Sequence, residues 1–324
     1  MNSLLRAAFV TLSCVAWLSQ AAAQDFPSRP VKLIVGFAPG SASDALARPY
    51  AEKLGEMLKG TVLVDNKPSG QQAAAIQALT MSPPDGYTLY MGSGSSMAQG
   101  PGLRKDVRHD PLRDFTLIGY MAGGPGAVLV NAALPVKNVD ELIAYAKARP
   151  DQMSFGSSGV GSAGHLAGEL FMALTGTKMQ HIPYKADTEA AREVGAGTLQ
   201  LAFTTLRTAA TVVGGGRLRA VLTLDTRRTP LLPDVPHVGE VKSVSLKDMV
   251  PYTWYALVGP AKMPEALVAR LSEASTKALT QPDLVSALQN SGVNPEPSTP
   301  DGLRAITTRE LAKWREVAKT VKID

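Results

Sequence analysis

The sequence contains a single cysteine, Cys14, among its 324 residues, and only 6% of the chain is aromatic. Cys14 lies in an N-terminal apolar segment that we expect to be removed, so the mature chain would contain no cysteine. That excludes disulfides, thiolate metal sites and a cysteine nucleophile from the mature protein. A chain without such cross-links must rely on a large hydrophobic core, which we expect about 300 residues to form as two domains.

Histidine is also scarce, with four residues in the chain. His109, His181 and His237 are far apart and show none of the spacings typical of metal ligands, so we expect neither a metal nor a cofactor. The net charge is mildly positive, +5 at pH 7, but no run of Lys and Arg with interleaved aromatic residues occurs. The composition therefore disfavours nucleic-acid binding and suits a protein that meets small anions.

The N-terminus has the layout of a secretory signal peptide. Arg6 supplies a positive charge, residues 7–18 are almost all apolar, and residues 21–23 form a small-residue cleavage site. We predict that residues 1–23 are a signal peptide and that the mature chain is periplasmic. The apolar run is too short to favour a retained membrane anchor, and no second long apolar segment follows.

Strands and helices alternate along the first hundred residues. The apolar run at residues 31–37 predicts a strand, and apolar residues at helical spacing predict a helix over residues 45–58. Residues 61–64 and 88–91 predict the next two strands. This alternation is typical of α/β proteins with parallel sheets and helices on both faces.

The chain is then predicted to cross to a second unit and to return. Further strands are predicted at residues 127–130, 153–155, 180–184, 199–203 and 218–224. Residues 252–258 predict the strand that returns to the first unit. We therefore expect an α/β protein with a ligand cleft between two lobes. Lobe 1 would comprise residues 24–124 and 251–324, and lobe 2 residues 125–250.

The segment FGSSGVGSAGHLAGEL, residues 155–170, is the most distinctive stretch of the chain. Its glycines follow the Gly159-x-Gly161-x-x-Gly164 spacing of a dinucleotide-binding turn, and Asp187 lies near where a ribose-binding acid would be expected. Two facts disfavour this interpretation. Nicotinamide cofactors are scarce outside the cytoplasm, and this turn normally opens its domain rather than lying halfway along the chain.

A serine hydrolase is a second interpretation of the same segment, with Ser162 and His165 on one face of a helix. A hydrolase also needs an exposed nucleophile and an orienting acid. No Gly-x-Ser-x-Gly elbow occurs in the sequence. We therefore expect no enzyme and keep the hydrolase as the least favoured hypothesis.

A site for an anion is the third interpretation. The first N–H groups of a helix have no partner within it, and the helix dipole leaves about half a positive charge there. Glycines let the backbone approach a ligand, and serine hydroxyls add donors. Ser157, Ser158 and Ser162, with the surrounding amides, could therefore hold a carboxylate without any arginine.

A similar loop links the first strand to the first helix at residues 37–41. Gly40 and Ser41 would present donors there, whereas Asp44 is expected mainly to support the loop. Ser93 begins a third polar loop at the end of another strand. Ligands of open α/β sheets bind beyond the carboxyl ends of the strands. Two helix N-termini facing each other across a cleft would favour a small molecule that carries a carboxylate.

Several short motifs along the chain are specific when taken together. They are FPSRP at 26–30, FAPG at 37–40 with Asp44, PDGYTL at 84–89, SSGVGSAGHLAGE at 157–169, PYK at 183–185, LPDVP at 232–236 and the pair Lys313-Trp314. Together they resemble the periplasmic solute-binding proteins of tripartite tricarboxylate transporters, the Bug or TctC-like family. The resemblance implies a type II periplasmic-binding fold that closes on a small organic acid, without catalysis. It also implies a monomer that delivers this acid to the permease subunits of a membrane transporter.

The resemblance further implies which residues bind the ligand. The loop of the first lobe and the serine–glycine loop of the second would hold one carboxylate, partly through water, and a tyrosine would line the pocket. With the polar residues at the strand ends, the expected set is Phe37, Ala38, Gly40, Ser41, Asp44, Ser93, Ser157, Ser158, Gly161, Ser162, His165, Tyr184, Thr204 and Thr205. Lys185 could pair with an acid or face solvent, and both interpretations stay open.

Some positions depart from the family pattern. Ser41 and Ala186 replace glycines, and the usual glycine-rich loop after the second strand is Ser69-Gly70-Gln71-Gln72. Many members carry an acid after a late strand of the second lobe, where this chain has Thr204 and Thr205. The missing acid removes a partner for an ammonium group, so we expect an uncharged or purely acidic ligand end.

A periplasmic sensor module of a two-component system remains an alternative to a transport receptor. Both would need the same pocket, so the sequence is compatible with either.

Overall fold

The computed structural model describes residues 26–250 and 252–319. The predicted signal peptide, residues 1–23, lies outside these ranges. Within them, no helix combines the length and the apolar character that a membrane crossing needs.

The elements follow one another in the alternating order that the sequence predicts. The strands are β1 (Val31–Val35), β2 (Val62–Asn66), β3 (Thr88–Ser93), β4 (Phe115–Gly124), β5 (Gly126–Asn131), β6 (Ser154–Ser157), β7 (Gln180–Pro183), β8 (Leu201–Thr205), β9 (Leu218–Leu224), β10 (Thr253–Pro260) and β11 (Asn294–Pro295). The helices are α1 (Ala42–Leu58), α2 (Ala73–Thr80), α3 (Gly100–Leu103), α4 (Pro111–Asp114), α5 (Val139–Lys147), α6 (Ala163–Thr175), α7 (Asp187–Ala196), α8 (Leu206–Val212), α9 (Glu265–Leu279), α10 (Pro282–Asn290) and α11 (Pro300–Val317).

The strands form two sheets with mixed pairing. The first sheet has the order β11-β4-β10-β3-β1-β2 and the second has the order β7-β6-β8-β5-β9. β1 pairs in parallel with β2 and β3, and β6 pairs in parallel with β7 and β8. Strand–helix–strand units require such parallel pairs. The carboxyl ends of β1, β6 and β8 are therefore each followed by a loop that leads into a helix.

The chain changes sheets at Pro125. β4 ends at Gly124 in the first sheet, and β5 begins at Gly126 in the second. After β9, residues 225–250 lead back, and β10 joins the first sheet between β3 and β4. The predicted α/β class with two sheet-based units is confirmed.

Helix α1 shows how residue spacing builds the first unit. Leu46, Tyr50, Leu54 and Leu58 recur every four residues, are buried and share a hydrophobic cluster with β1. Burying each such side chain stabilises the fold by roughly 1.5–3 kcal/mol. This packing holds the N-terminus of α1 beside the end of β1.

Close packing also positions α6 in the second unit. Phe203 on β8 contacts Phe155 on β6 and Phe171 on α6, with ring centroids 5.7 and 5.6 Å apart. Gly168 permits this approach, since a Cβ there would lie 2.2 Å from the ring of Phe155. The N-terminus of α6 is thereby held near the ends of β6 and β8.

Candidate functional site

A cavity of about 280 Å³ lies where loops that follow strands of both sheets meet. Its size is near the lower end of small-molecule pockets, so a small ligand would fill it. The predicted site residues that line it are Phe37, Ala38, Gly40, Ser41, Ser93, Ser158, Ser162 and Thr205.

The loop from β1 to α1 presents main-chain donors to this cavity. Gly40 has φ +78°, a left-handed conformation that favours glycine, and turns the chain into α1. The Ser41 hydroxyl caps the helix by accepting a hydrogen bond from the Asp44 amide at 3.2 Å. This cap satisfies the third amide only. The amides of Ala42 and Ser43, which both line the cavity, have no partner within the helix.

Asp44 lies behind this loop rather than on the cavity wall. Its carboxylate accepts hydrogen bonds from the Gly40 amide (2.9 Å), from Asn66 Nδ2 (3.0 Å) and from Arg48 Nε and Nη2 (3.0 and 2.9 Å). Burial raises the pKa of Asp44, but these hydrogen bonds and the Arg48 charge outweigh it, so the net pKa is lowered. Asp44 therefore supports the loop as an anionic anchor.

Helix α6 begins at the cavity in the same manner. Its N-cap is Ser162, whose hydroxyl accepts a hydrogen bond from the His165 amide at 3.3 Å. Gly161, with φ +76°, makes the turn that precedes it. Ala163, whose amide has no partner within the helix, lines the cavity together with Ser158. A second set of main-chain donors thus faces the cavity from the other sheet.

Ser157 and two histidines hold this turn from behind. Ser157 Oγ lies 2.7 Å from His181 Nε2, and His165 Nδ1 accepts a hydrogen bond from the Gly161 amide at 3.1 Å. Burial, with the charges of His181 and Arg104, lowers the pKa of His165 to about 3. Burial lowers the pKa of His181 to about 4. Both rings are therefore neutral near pH 7.

The Ser162–His165 pair lacks the geometry of a nucleophile and its base. The Ser162 hydroxyl donates to Ser157 Oγ at 3.3 Å and accepts from the main chain of His165. The His165 ring is engaged by the Gly161 amide instead. Ser157 does lie next to a histidine, but it is fully buried. The geometry gives the hydrolase interpretation no support.

Two further helices begin at the cavity, which the sequence analysis did not anticipate. Ala186, Asp187 and Thr188 at the start of α7 line it. So do Thr205 and Thr208 of α8, where Thr205 Oγ1 accepts a hydrogen bond from the Thr208 amide at 3.3 Å. The positive ends of several helix dipoles are therefore concentrated around one small cavity.

Asp187 brings a carboxyl group to this wall. Its Oδ2 accepts a hydrogen bond from the Thr205 amide at 3.1 Å, at the end of β8. Burial raises the pKa of Asp187, and the Ser158 hydroxyl and the Thr205 amide offset this only in part. Among the described residues, Oδ1 is buried without a hydrogen-bond partner, although the Ser158 hydroxyl is close enough to act on the carboxyl.

Ser93 belongs to a buried hydrogen-bond network on the opposite wall. Gln72 Nε2 donates to Ser93 Oγ (2.8 Å) and Ser95 Oγ (2.9 Å), and the Tyr90 hydroxyl donates to Gln72 Oε1 (2.6 Å). The predicted polar loop after β3 is instead a short π-helix, Ser95–Gln99. Its hydroxyls bond to neighbouring backbone and side chains, which removes the need for solvent. The network holds Ser93 and Ser95 at the cavity wall.

Other predicted residues lie outside the cavity lining. They are Asp44, Ser157, Gly161, His165, Tyr184 and Thr204. Tyr184 packs against a hydrophobic cluster of the second unit, and Thr204 is buried within β8. Asp44, Ser157 and His165 act on the two donor loops from behind rather than facing the cavity.

The sequence analysis missed several lining residues besides those of α7. Tyr252 and Tyr255 come from the returning segment, and the Tyr255 hydroxyl lies 3.2 Å from Ser43 Oγ. The predicted return strand at residues 252–258 was the signal that could have identified them. Gln99 lies in a segment without any such signal.

Lys185 is the one basic residue among the described residues that line the cavity, and it is exposed. In the same part of the chain, His, Cys, Asp and Glu side chains form no cluster of three or more that could hold a metal ion. Main-chain amides and hydroxyls are thus the main donors of this site.

Comparisons with known proteins agree on one family. The model of the "Tripartite tricarboxylate transporter family receptor", TctC, matches residues 46–323. A UPF0065 protein of Bordetella pertussis is 34% identical over 307 residues, which cover 94% of this chain and 93% of the relative. Protein BugT of Bordetella pertussis is 28% identical and covers 98% of this chain and 97% of its own length.

Solved structures share the fold. One described as a periplasmic transporter has a TM-score of 0.79 at 30% identity and covers 91% of this chain and 97% of its own. R. palustris Rpa4515, solved with adipate, has a TM-score of 0.79 at 28% identity and covers 92% and 99%. These likenesses confirm the predicted two-lobed periplasmic-binding fold. The chain belongs to the TctC, or Bug, family of periplasmic solute-binding proteins, the receptors of tripartite tricarboxylate transporters.

Proposed function

We propose that this protein captures a small carboxylate-containing solute in the periplasm and delivers it to the permease subunits of a tripartite transporter. The observation that carries the proposal is the cavity at which α1, α6 and α7 begin. A carboxylate is the ligand chemistry that such helix N-termini stabilise. The adipate in the related Rpa4515 structure supports the same class of solute.

Main-chain donors can hold a carboxylate here without a cationic side chain. A helix N-terminus stabilises an anion by about 0.3–1 kcal/mol at the surface and up to about 2 kcal/mol when partly buried. Each hydrogen bond to a charged group contributes about 1.5–3 kcal/mol. Amides at Ala42, Ser43 and Ala163, with the Ser158 and Ser162 hydroxyls, supply such bonds from both sheets.

Ligand binding is coupled to the relative position of the two lobes in this proposal. We assign residues 24–124 and 251–324 to one lobe and residues 125–250 to the other. Because both lobes contribute donors to one cavity, the ligand binds the closed arrangement more tightly than an open one. Closure would give the permease a surface that exists only in the loaded receptor.

Export and assembly complete the proposal. Residues 1–23 direct the chain to the periplasm as a cleavable signal peptide, and the mature protein acts as a monomer without a cofactor. Light scattering of the mature protein should show one chain per particle, with and without an acid.

Calorimetry tests the proposed function. The mature protein is titrated with monocarboxylates, dicarboxylates, tricarboxylates and aromatic acids after any retained ligand has been removed by unfolding and refolding. At least one acid should bind, and Ser162→Ala should weaken it about tenfold or more. The matched control is Ser286→Ala, an exposed serine on α10, which should bind as the wild type does. Silence across the panel, or full affinity in Ser162→Ala, contradicts the proposal.

A further inference from the structure

Two buried polar atoms at the cavity lack hydrogen-bond partners among the described residues. They are Gln99 Oε1 on the first lobe and Asp187 Oδ1 on the second. Both side chains line the cavity, whereas the other buried atoms of this kind belong to residues elsewhere. A buried polar group without a partner costs about 1–3 kcal/mol, and more if it is charged. A ligand in the cavity is the group positioned to remove this cost.

Asp187 determines which kind of ligand group that is. A side-chain amide can present either its oxygen or its nitrogen, so Gln99 can adapt to donors and acceptors alike. An ionised carboxylate accepts hydrogen bonds only. Oδ2 is already engaged by the Thr205 amide at 3.1 Å. The free oxygen of Asp187 therefore requires a donor from the ligand.

The position of Asp187 also bears on the acid that is missing from β8. Thr204 and Thr205 stand where many family members carry an acid, and this led to the expectation of an uncharged or purely acidic ligand end. In the structure, the carboxyl group of Asp187 lies at the end of β8, bonded to the Thr205 amide. The wall thus has a carboxyl group after all, supplied by the first residue of α7.

We propose that Asp187 is a specificity-determining residue that binds an ammonium or hydroxyl group on the solute, whose carboxylate is held by the helix N-termini. This inference rests on the proposed function and deepens it. The preferred solute class becomes amino acids or hydroxy acids rather than plain carboxylic acids. It replaces the expectation of an uncharged or purely acidic ligand end.

Lys185 offers the main competing role for Asp187. It lines the same cavity on an exposed position two residues earlier. If the Lys185 ammonium were the partner of Asp187, the solute would need no donor, and Lys185→Gln would change selectivity. Under our proposal, Lys185→Gln leaves the preference for donor-bearing acids unchanged.

Matched ligand sets test the proposal by calorimetry. Propionate, lactate and alanine form one set, succinate, malate and aspartate a second, and glutarate, 2-hydroxyglutarate and glutamate a third. Within the set whose length fits, the wild type should bind a donor-bearing member about 10- to 100-fold more tightly than the unsubstituted acid. Comparing the hydroxy with the amino member shows which donor is preferred.

Asp187→Asn is the decisive variant, since it removes the charge and keeps an oxygen for the Thr205 amide. It should reduce the preference about tenfold or more while the unsubstituted acid binds at least as tightly as before. Glu193→Gln, on the same helix but away from the cavity lining, is the control for charge and should leave the preference intact. Thermal melts of both variants show whether they are folded.

The outcomes distinguish this inference from the proposed function. If unsubstituted acids bind as tightly as their donor-bearing counterparts, or if Asp187→Asn keeps the wild-type preference in a folded protein, the inference is overturned and the carboxylate receptor stands. If no acid of any set binds, both fail together.

Discussion

Replacing Gly161 with alanine should weaken ligand binding more than it weakens the fold. Gly161 has φ +76°, and a Cβ built there would lie 3.1 Å from Cγ and 3.4 Å from Cα of Gln71. Gln71 belongs to the first lobe and is itself left-handed, with φ +54°. The contact therefore crosses between the lobes and exists only when they are close together.

The magnitude follows from two separate costs. An alanine in the left-handed region costs about 1 kcal/mol, which lowers stability whatever the lobes do. Contact with the backbone and side chain of Gln71 adds an overpacking cost of about 1–3 kcal/mol in the closed arrangement only. Because the ligand binds that arrangement, its affinity should fall about 5- to 100-fold.

Gly216→Ala is the matched control. Gly216 has φ +72°, but a Cβ there would have no heavy atom within 4 Å. Both variants should lose similar stability in urea titrations, and only Gly161→Ala should lose affinity in calorimetry with an acid that the wild type binds. Equal affinity in the two variants would refute the idea that this contact forms on closure.

Two further predictions concern groups that support the donor loops. The folded-state pKa values of His165, about 3, and His181, about 4, lie below the unfolded value of about 6.5. The unfolded chain therefore binds more protons, so the free energy of unfolding should fall as pH drops from about 6.5 towards 4. Urea titrations should show this fall, smaller in His165→Gln; identical slopes in both proteins would contradict it. Arg48→Met should cost about 1–2 kcal/mol and weaken acid binding, because the buried Asp44 loses its bidentate partner while Arg48 itself is half exposed. Lys277→Met, which removes an exposed ion pair, should cost less than about 0.5 kcal/mol, and equal losses in the two variants would count against the anchor role of Asp44.

Elements with a strong local pattern were predictable from the sequence. The apolar spacing of α1 predicted a helix over residues 45–58, and the structure has Ala42–Leu58. The strand–loop–helix order around Ser41 and Ser162 likewise predicted two capped helix N-termini, since capping is local chemistry. These short-range signals depend on residues within one turn of each other.

Elements stabilised by distant contacts were not predictable. β4, Phe115–Gly124, is ten residues long and contains three glycines, which weaken a strand signal. Gly123 lies so close to Tyr120 that a Cβ would be 2.2 Å from its hydroxyl. Only the packed sheet shows why glycine is required there.

The site followed the same division. The donor loops were found because each combines glycine and serine within a few residues. Asp187, Gln99 and Tyr255 reach the cavity from separate segments, through the placement of α7, the π-helix and β10. No local pattern indicates that they meet, so the acceptor side of the cavity became visible only with the fold.

A crystal structure of the acid-loaded protein tests the central claim most directly. Our account predicts a solute carboxylate within about 3 Å, or one water, of the amides of Ala42 or Ser43 on one lobe and Ala163 on the other. A solute whose carboxylate pairs with Lys185, or that lies elsewhere and leaves both helix starts without contacts, would contradict it.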